Sequence, residues 1–317
     1  MASLREIRLR VDSVKSTKKI TYAMKLVAAA KLKRAQEAAQ RGRSYTLQLN
    51  EMLSGLVSEL GVDGVSSPFL VNSDVNSQSN KGTSSKALLV IFGGARGLCG
   101  GYNTNLHRAM EVWIASQNSS SGKAGKRELE ILTVGRKPAE YCRRVGRKTL
   151  KSFEEVPEDA AKWPIEEAAT LIEERFLSGE VSEVYFLVTK FKSAISMTPT
   201  VAKLLPMDAG SLAAQALLDQ GSAKTAAATN TGVTLFEPSA QQVFAAILPR
   251  LLRSKLRQGA FDAKASETGA RMTAMDAATK NAGELIDKLT RLRNKLRQNG
   301  ITSQLLDIVG GAEAVNN

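Results

Sequence analysis

FDAKASETGARMTAMDAATKNAGELIDKLTRLRNKLRQNGITSQLLDIVGG, residues 261–311, decides the architecture of this chain. Read in alternating steps of four and three, it gives Phe261, Ala265, Thr268, Met272, Met275, Thr279, Ala282, Ile286, Leu289, Arg293 and Leu296. Eight of these eleven positions are apolar, and the spacing holds for five heptads without a proline. A narrow apolar stripe at period 3.5 marks a coiled-coil seam, whereas a helix lying on a globular core carries a wider one. Apolar residues continue through Ile301, Leu305, Leu306, Ile308 and Val309, and Gly310-Gly311 is the expected stop. A seam this long needs a partner helix, and the other end of the chain offers one.

From Ser3 to about Leu60 the sequence reads as a single helix, opening on a Ser3/Glu6 capping box. Its seam runs Leu4, Ile7, Val11, Val14, then shifts by three residues to Thr17, Thr21, Met24, Ala28, Lys31, Ala35 and Ala38, as in a stammer. Small residues (Ala28, Ala29, Ala30, Ala35, Ala38, Ala39) permit close approach of a second helix. Helices at opposite ends of one chain, paired across an intervening domain, run antiparallel.

Between them the pattern changes. Residues 61–86 are rich in Ser, Asn and Gly and read as a loop or disordered linker. Strands are expected at Lys86–Phe92, Glu128–Val134, Lys148–Phe153 and Glu183–Lys190, with helices at Thr104–Ser116, Lys137–Val145 and Ile165–Leu177. Residues 117–127 form a second polar loop, and Lys192–Leu205 reads as a strand pairing with the one before it. Such alternation argues for an α/β fold with a mostly parallel sheet. The expected organisation is a long N-terminal helix (1–60), a linker (61–86), a Rossmann-like α/β domain (87–206), a variable Ala/Gly/Ser/Thr-rich insertion (207–236) and a long C-terminal helix (237–317). The fold class is thus α/β: a long antiparallel coiled coil of terminal helices with that domain inserted between them and hanging off one end of the rod. A helix starts at Ser239, and Pro249 is expected to end or kink it before the seam begins.

Charge follows the same division. Of a net +13, residues 1–43 contribute +9 and residues 250–300 contribute +7, so the remainder is slightly acidic. The basic helices suit acidic protein surfaces, anionic membranes or nucleic acid. Few aromatics lie near the basic clusters, which disfavours single-strand stacking, and a basic-region DNA binder requires parallel helices. Two cysteines make no disulfide framework, MASLREIRLR has no apolar core of a secretory signal, and no run has the length to span a bilayer. The expectation is a protein that is soluble or peripheral to a membrane.

Gly93-Gly94-Ala95-Arg96-Gly97-Leu98-Cys99-Gly100-Gly101 lies between a strand and a helix, where phosphate-cradling loops occur. It does not spell G-x-G-x-x-G, and no Walker lysine follows, so a tight packed turn is the favoured reading. His107, the sole histidine, with Cys99 and Cys142 offers three metal-ligand types without ligand spacing, and no metal is expected.

Three stretches carry a family resemblance. Ser13 to Leu32 (SVKSTKKITYAMKLVAAAKL) closely resembles the N-terminal helix of the γ subunit of F-type ATP synthases. Arg96 to Asn103 (RGLCGGYN) is similar to that family's central motif. Ala270 to Asn281, with Asn294, Arg297-Gln298, Ile301-Thr302 and Ile308 to Ala312, resembles its C-terminal helix. Residues 61–85 and 207–236 carry none of it. Ala95 stands where the family usually has Asp, and Asn299-Gly300 replaces its usual small residues. The insertion lacks the dithiol of the redox-regulated plastid type, which suggests a bacterial enzyme.

The resemblance implies a central rotor shaft inside a hexameric ring of α and β subunits. The α/β domain would then lie against the ε subunit and the c-ring, and the whole would be peripheral to the cytoplasmic face of the bacterial plasma membrane. It implies no cofactor, no nucleic-acid partner and no catalytic site in this chain. Carried over by position, Met24, Lys25, Arg297, Gln298 and Thr302 would contact β. Leu305, Leu306, Ile308 and Val309 would form a bearing tip, and Arg96, Gly97, Leu98, Cys99, Gly100 and Asn103 a foot near ε and the c-ring. A nucleotide-dependent enzyme built on the α/β domain and a basic coiled-coil nucleic-acid protein are the rival readings.

Overall fold

The computed structural model describes residues 4–61, 67–70, 86–120, 128–208 and 236–316. The elements are α1 (Leu4–Leu60), β1 (Ala87–Phe92), α2 (Tyr102–Ser120), β2 (Leu129–Val134), α3 (Arg136–Arg144), β3 (Thr149–Phe153), a 3-10 turn (Ala160–Lys162), α4 (Ile165–Leu177), β4 (Glu183–Phe191), β5 (Met197–Leu205) and α5 (Ala240–Asn316). They divide into two compact units, Lys31–Ala270 and the two ends, Met1–Ala30 with Arg271–Asn317.

The larger unit is built on a five-stranded sheet in the order β3-β2-β1-β4-β5. β1 pairs in parallel with β2 and β4, β2 with β3, and only β5 runs antiparallel, against β4. The uninterrupted apolar run ALLVIF of β1 follows from its central place, because both faces of that strand are covered. Leu88, Val90 and Phe92 face one side, Leu89 and Ile91 the other. Leu106, Met110 and Ile114 of α2 and Cys142 of α3 cover the second side.

The first side is covered by α4 and by the inner parts of both terminal helices. Leu49, Leu53 and Leu56 of α1 and Phe244, Leu248, Leu251, Leu252 and Leu256 of α5 share one core with Leu88, Val90 and Phe92. Each such side chain contributes about 1.5–3 kcal/mol on full burial. Thr46 and Ser254 join α1 to α5 by a hydroxyl hydrogen bond of 2.8 Å. At Gly259, α5 passes so close to β4 that a Cβ would overlap the Phe186 ring. Phe186 in turn stands edge-on to Phe92 at 4.8 Å.

This arrangement corrects three expectations. The sheet does not simply hang from a rod: the inner parts of the terminal helices are a layer of its own unit. The first heptads of the expected seam are therefore not a narrow stripe, since residues 261–269 are almost all buried, between sheet and α1. Of the two outcomes expected at Pro249, an end or a kink, the end does not occur, for α5 is continuous through it. An internal proline costs roughly 3 kcal/mol, and burial of Ile247, Leu248, Leu251 and Leu252 around it offsets that cost.

Part of the expected linker is also structured. Phe69 and Leu70 are buried, Phe69 O accepts from Met207 N at 2.7 Å, and Phe69 stacks on Phe176 at 6.2 Å between ring centres. Ser3 of the expected capping box and residues 71–85 and 209–235 lie outside the described residues.

The smaller unit is an antiparallel helix pair. Along α5, Met275, Ala282 and Leu289 are buried and Met272, Thr279, Ile286, Arg293 and Leu296 half-buried, which is the heptad seam read from the sequence. Ile7 and Val11 of α1 are buried against Leu289, with Val14 and Leu296 beside them. Each half of the α1 seam has one exposed position, Leu4 before the shift and Thr17 after it, while Thr21 and Met24 are half-buried and Ala28 is buried. Gly310-Gly311 does not stop α5, which runs to Asn316. Glycine is only about 1 kcal/mol worse than alanine inside a helix, and Ala312, Glu313 and Ala314 follow as good helix formers.

Candidate functional site

Met24 and Lys25 lie near the end of the α1 part of the helix pair, opposite the first turns of its α5 part. Lys25 Nζ is 2.7 Å from Asp276 Oδ1, and Lys280 Nζ is 3.1 Å from the other carboxylate oxygen. The hydrogen bond with Lys25 holds the Asp276 carboxyl below the usual carboxylate range and raises the Lys25 ammonium above its own. One turn away the hydroxyls of Thr21 and Thr279 meet at 2.9 Å. Both threonines stand in the heptad lists, but nothing in the pattern distinguishes a bonded pair from two packed methyls. Asp276 is not marked by the pattern for a similar reason, since it lies beside the seam rather than in it.

Arg297, Gln298 and Thr302 form a separate cluster about 30 Å along α5 from Asp276, counted from the helical rise. All three are exposed, and Thr302 Oγ1 donates to Gln298 O at 3.0 Å. Beyond them Leu305, Leu306, Ile308 and Val309 are 57–67% exposed, four apolar side chains on bare helix. The structure thus does not bring the two sets of expected β contacts together; it spaces them along one rod.

In the larger unit, residues 93–103 form a turn held from within. Gly93 N donates to Val134 O (2.9 Å), Gly94 N to Asn103 Oδ1 (3.2 Å) and Lys137 N to Gly94 O (3.0 Å). Asn103 Nδ2 donates to the Cys99 sulfur at 3.2 Å, and Tyr102 N to Cys99 O at 3.2 Å. Gly135, at φ 108°, lets the backbone of the next turn come against Gly93, where a Cβ would collide with the Gly93 carbonyl. The amides of Gly93, Gly94 and Tyr102 are therefore already bonded within the protein. Arg96, Gly97, Leu98 and Gly100 are exposed, while Cys99 is buried. Leu98 adopts φ 59° and is 63% exposed, an uncommon state for a branched apolar residue.

The three metal-ligand types stay apart in role. Burial among Leu89, Ile91 and Leu106 pushes the Cys142 thiol up to about 11, and burial with nearby Arg144 pushes His107 down to about 4. His107 stacks on Tyr141 at 4.1 Å. Among the described residues no group of three His, Cys, Asp or Glu is placed to hold a metal ion.

A family model described as ATP synthase matches residues 3–315. The ATP synthase gamma chain of Pelotomaculum thermopropionicum is 36% identical over 315 residues, covering 99% of this chain and 100% of the relative. That of Desulforudis audaxviator is 38% identical over 316 residues, with the same coverage. This chain belongs to the ATP synthase gamma chain family. A similar fold is seen in a solved Euglena gracilis mitochondrial ATP synthase rotor, with TM-score 0.59 at 17% identity over 94% of this chain and 98% of that one. Membership of the gamma-chain family disfavours both rival readings, and the bonded amides of the glycine-rich turn weigh further against a phosphate cradle. Among the described residues no helix is long and apolar enough to cross a membrane.

Proposed function

We propose that the chain is the rotating shaft of an ATP synthase central stalk. It turns inside a ring of α and β subunits and couples proton flow through a c-ring to ATP synthesis and hydrolysis at the β subunits. The observation that carries this reading is the antiparallel helix pair, whose seam ends at Leu296 while α5 continues as bare helix with exposed apolar side chains. Four such residues are a liability unless covered. Inside an apolar sleeve, Leu305, Leu306, Ile308 and Val309 each contribute on the order of 1.5–3 kcal/mol. Between Thr302 and Ala312 only Asp307 is charged, so the contact is smooth and permits turning.

Met24 and Lys25, and further along Arg297, Gln298 and Thr302, are the proposed β contacts. Arg96, Gly97, Leu98, Cys99, Gly100 and Asn103 form the foot toward the ε subunit and the c-ring. There the internal bonds of Cys99 and Asn103 hold Leu98 outward, an arrangement that favours a partner over solvent. The chain itself is non-catalytic and needs no cofactor. It is peripheral, at the cytoplasmic face of a bacterial plasma membrane. A solved ATP synthase rotor and a solved central stalk with c-ring hold chains of similar fold, which supports the same assignment.

The test is co-purification of the tagged chain from its own cell, followed by observation of a bead fixed to the foot. The expected result is a complex of α, β, ε and c subunits in which ATP drives rotation, while the chain alone hydrolyses no ATP. Recovery without an α/β ring, or turnover by the chain alone that vanishes in Arg96→Ala, overturns the reading.

A further inference from the structure

We propose that the larger unit carries a binding site for a small amphipathic monoanion, a compact apolar body bearing one carboxylate or sulfonate. The site is a cavity of about 500 Å³ between α1, α5 and the segment leading into the 3-10 turn. That is within the size range of small-molecule sites, roughly 300–1,000 Å³. Ala35 and Ala38 of α1, Ala160 and the Phe261 ring supply its apolar wall.

Its charges are unevenly committed. Lys31 and Glu158 form an ion pair across the cavity, which holds the Glu158 carboxyl below the usual carboxylate range. Asp159 Oδ1 accepts from Ala161 N at 3.0 Å and so caps the 3-10 turn. Lys264 lies 3.6 Å from Glu267. Arg34 and Arg41 remain. They sit two helical turns apart on one face of α1, about 10 Å by the helical rise. Among the described residues neither makes an ion pair, and Glu37 between them pairs with neither. With the Lys31–Glu158 and Lys264–Glu267 pairs and the capping Asp159 set aside, the two guanidiniums face the carboxylate of Glu37, which leaves one uncommitted positive charge in the lining.

The ligand class follows from that balance. A cation adds to the excess. A neutral apolar ligand strips water from the guanidiniums without replacing it, which is unfavourable. A monoanion answers that uncommitted charge and gives a guanidinium a charge-assisted hydrogen bond. Its apolar body meanwhile displaces water from a wall that cannot bond it. Guanidinium, with planar donors, matches a carboxylate or sulfonate better than Lys31 would. The gamma-chain role neither requires nor supplies such a ligand.

The probe is 1-anilinonaphthalene-8-sulfonate, an aromatic monoanion whose fluorescence rises on desolvation, titrated into the full-length chain with hydrogen exchange read alongside. One saturable site is expected, with slowed exchange in residues 31–41, 158–160 and 261–264. Replacing both Arg34→Gln and Arg41→Gln is expected to weaken binding about tenfold or more, as loss of a charge-assisted contact implies. Ala38→Phe, which fills the wall, should abolish it, and Lys33→Gln, outside the cavity, should leave it unchanged. Equal affinity in the double arginine variant overturns the proposal. So does protection at residues 305–309 in place of the cavity, which would mean adsorption to exposed apolar helix. If the arginine variant does not fold, the exchange map of the unaltered chain decides by itself.

Discussion

The phenol of Tyr102 donates to the backbone carbonyl of Ala263 at 3.2 Å, tying the first residue of α2 to a helix 161 positions later. Both groups are buried, so the bond has no ready replacement by water. Tyr102→Phe removes the donor while keeping the ring, and a loss of about 1 kcal/mol in unfolding free energy is expected. Chemical denaturation with an unchanged m-value checks this; no loss would mean that the bond adds nothing.

Asp262 is a half-buried carboxyl of α5. Burial pushes it up to about 6, against the opposing pull of Arg43, Gln258 and Lys190. The folded state therefore binds this proton more tightly than the unfolded one. The resulting stability is complete below about pH 3.8 and lost as pH rises through about 6, a change of roughly 3 kcal/mol at most. Asp262→Asn should unfold at a higher temperature than the parent at pH 8 and at a similar one near pH 4. A variant equal to the parent at both values refutes the assignment.

Gly259→Ala forces a methyl into the Phe186 ring, and overpacking of this kind costs about 1–3 kcal/mol. Shortening the obstacle with Phe186→Leu in the same chain should recover part of the loss. Two single substitutions whose effects simply add would show that the two positions do not touch.

The Lys25 and Asp276 side chains keep 35% and 33% of their surface in water, so the mark of the pair is electrostatic rather than stabilising. Lys25→Met should move the Asp276 carboxyl titration upward, toward the ordinary carboxylate value, as followed by nuclear magnetic resonance. The contribution of Asp276 is present above its unfolded value and lost as pH falls through the depressed folded one. An unmoved titration in Lys25→Met would mean that Lys280 alone holds the carboxyl.

Truncation after Thr302 removes Leu305, Leu306, Ile308 and Val309 but no buried contact of the described residues. The isolated chain should keep its melting temperature within about a degree, since exposed side chains add little to stability. Assembly with an α/β ring should weaken. A drop of several degrees in the isolated chain would place those side chains against the protein itself.

The elements that were legible in the sequence are those whose own pattern decides them. Ile165–Leu177 was read to the residue, because its apolar spacing is helical and Gly179 follows closely. The seam from Met272 to Leu296 was legible because one narrow partner enforces one narrow stripe. For residues 240–269 the helix was legible but its packing was not, since a helix buried by sheet and helix together carries no single stripe. Phe69 and Leu70 were hidden in a polar stretch, and their anchor, Met207, is 137 residues away or more. At the turn after β1 the glycines announced a tight backbone, yet no local rule foretells a leucine at φ 59°.

The core that joins Leu53 to Phe244 sets the order in which the protein is made. Thr46 must wait for Ser254, 208 residues later in the chain. At the usual pace of synthesis that interval is on the order of 10 to 40 s. Throughout it the apolar side of α1 has no mate on the ribosome, and the half-built sheet has one bare face. Newborn chains of this design thus depend on a holding chaperone, and a stall before residue 244 should send them to proteolysis.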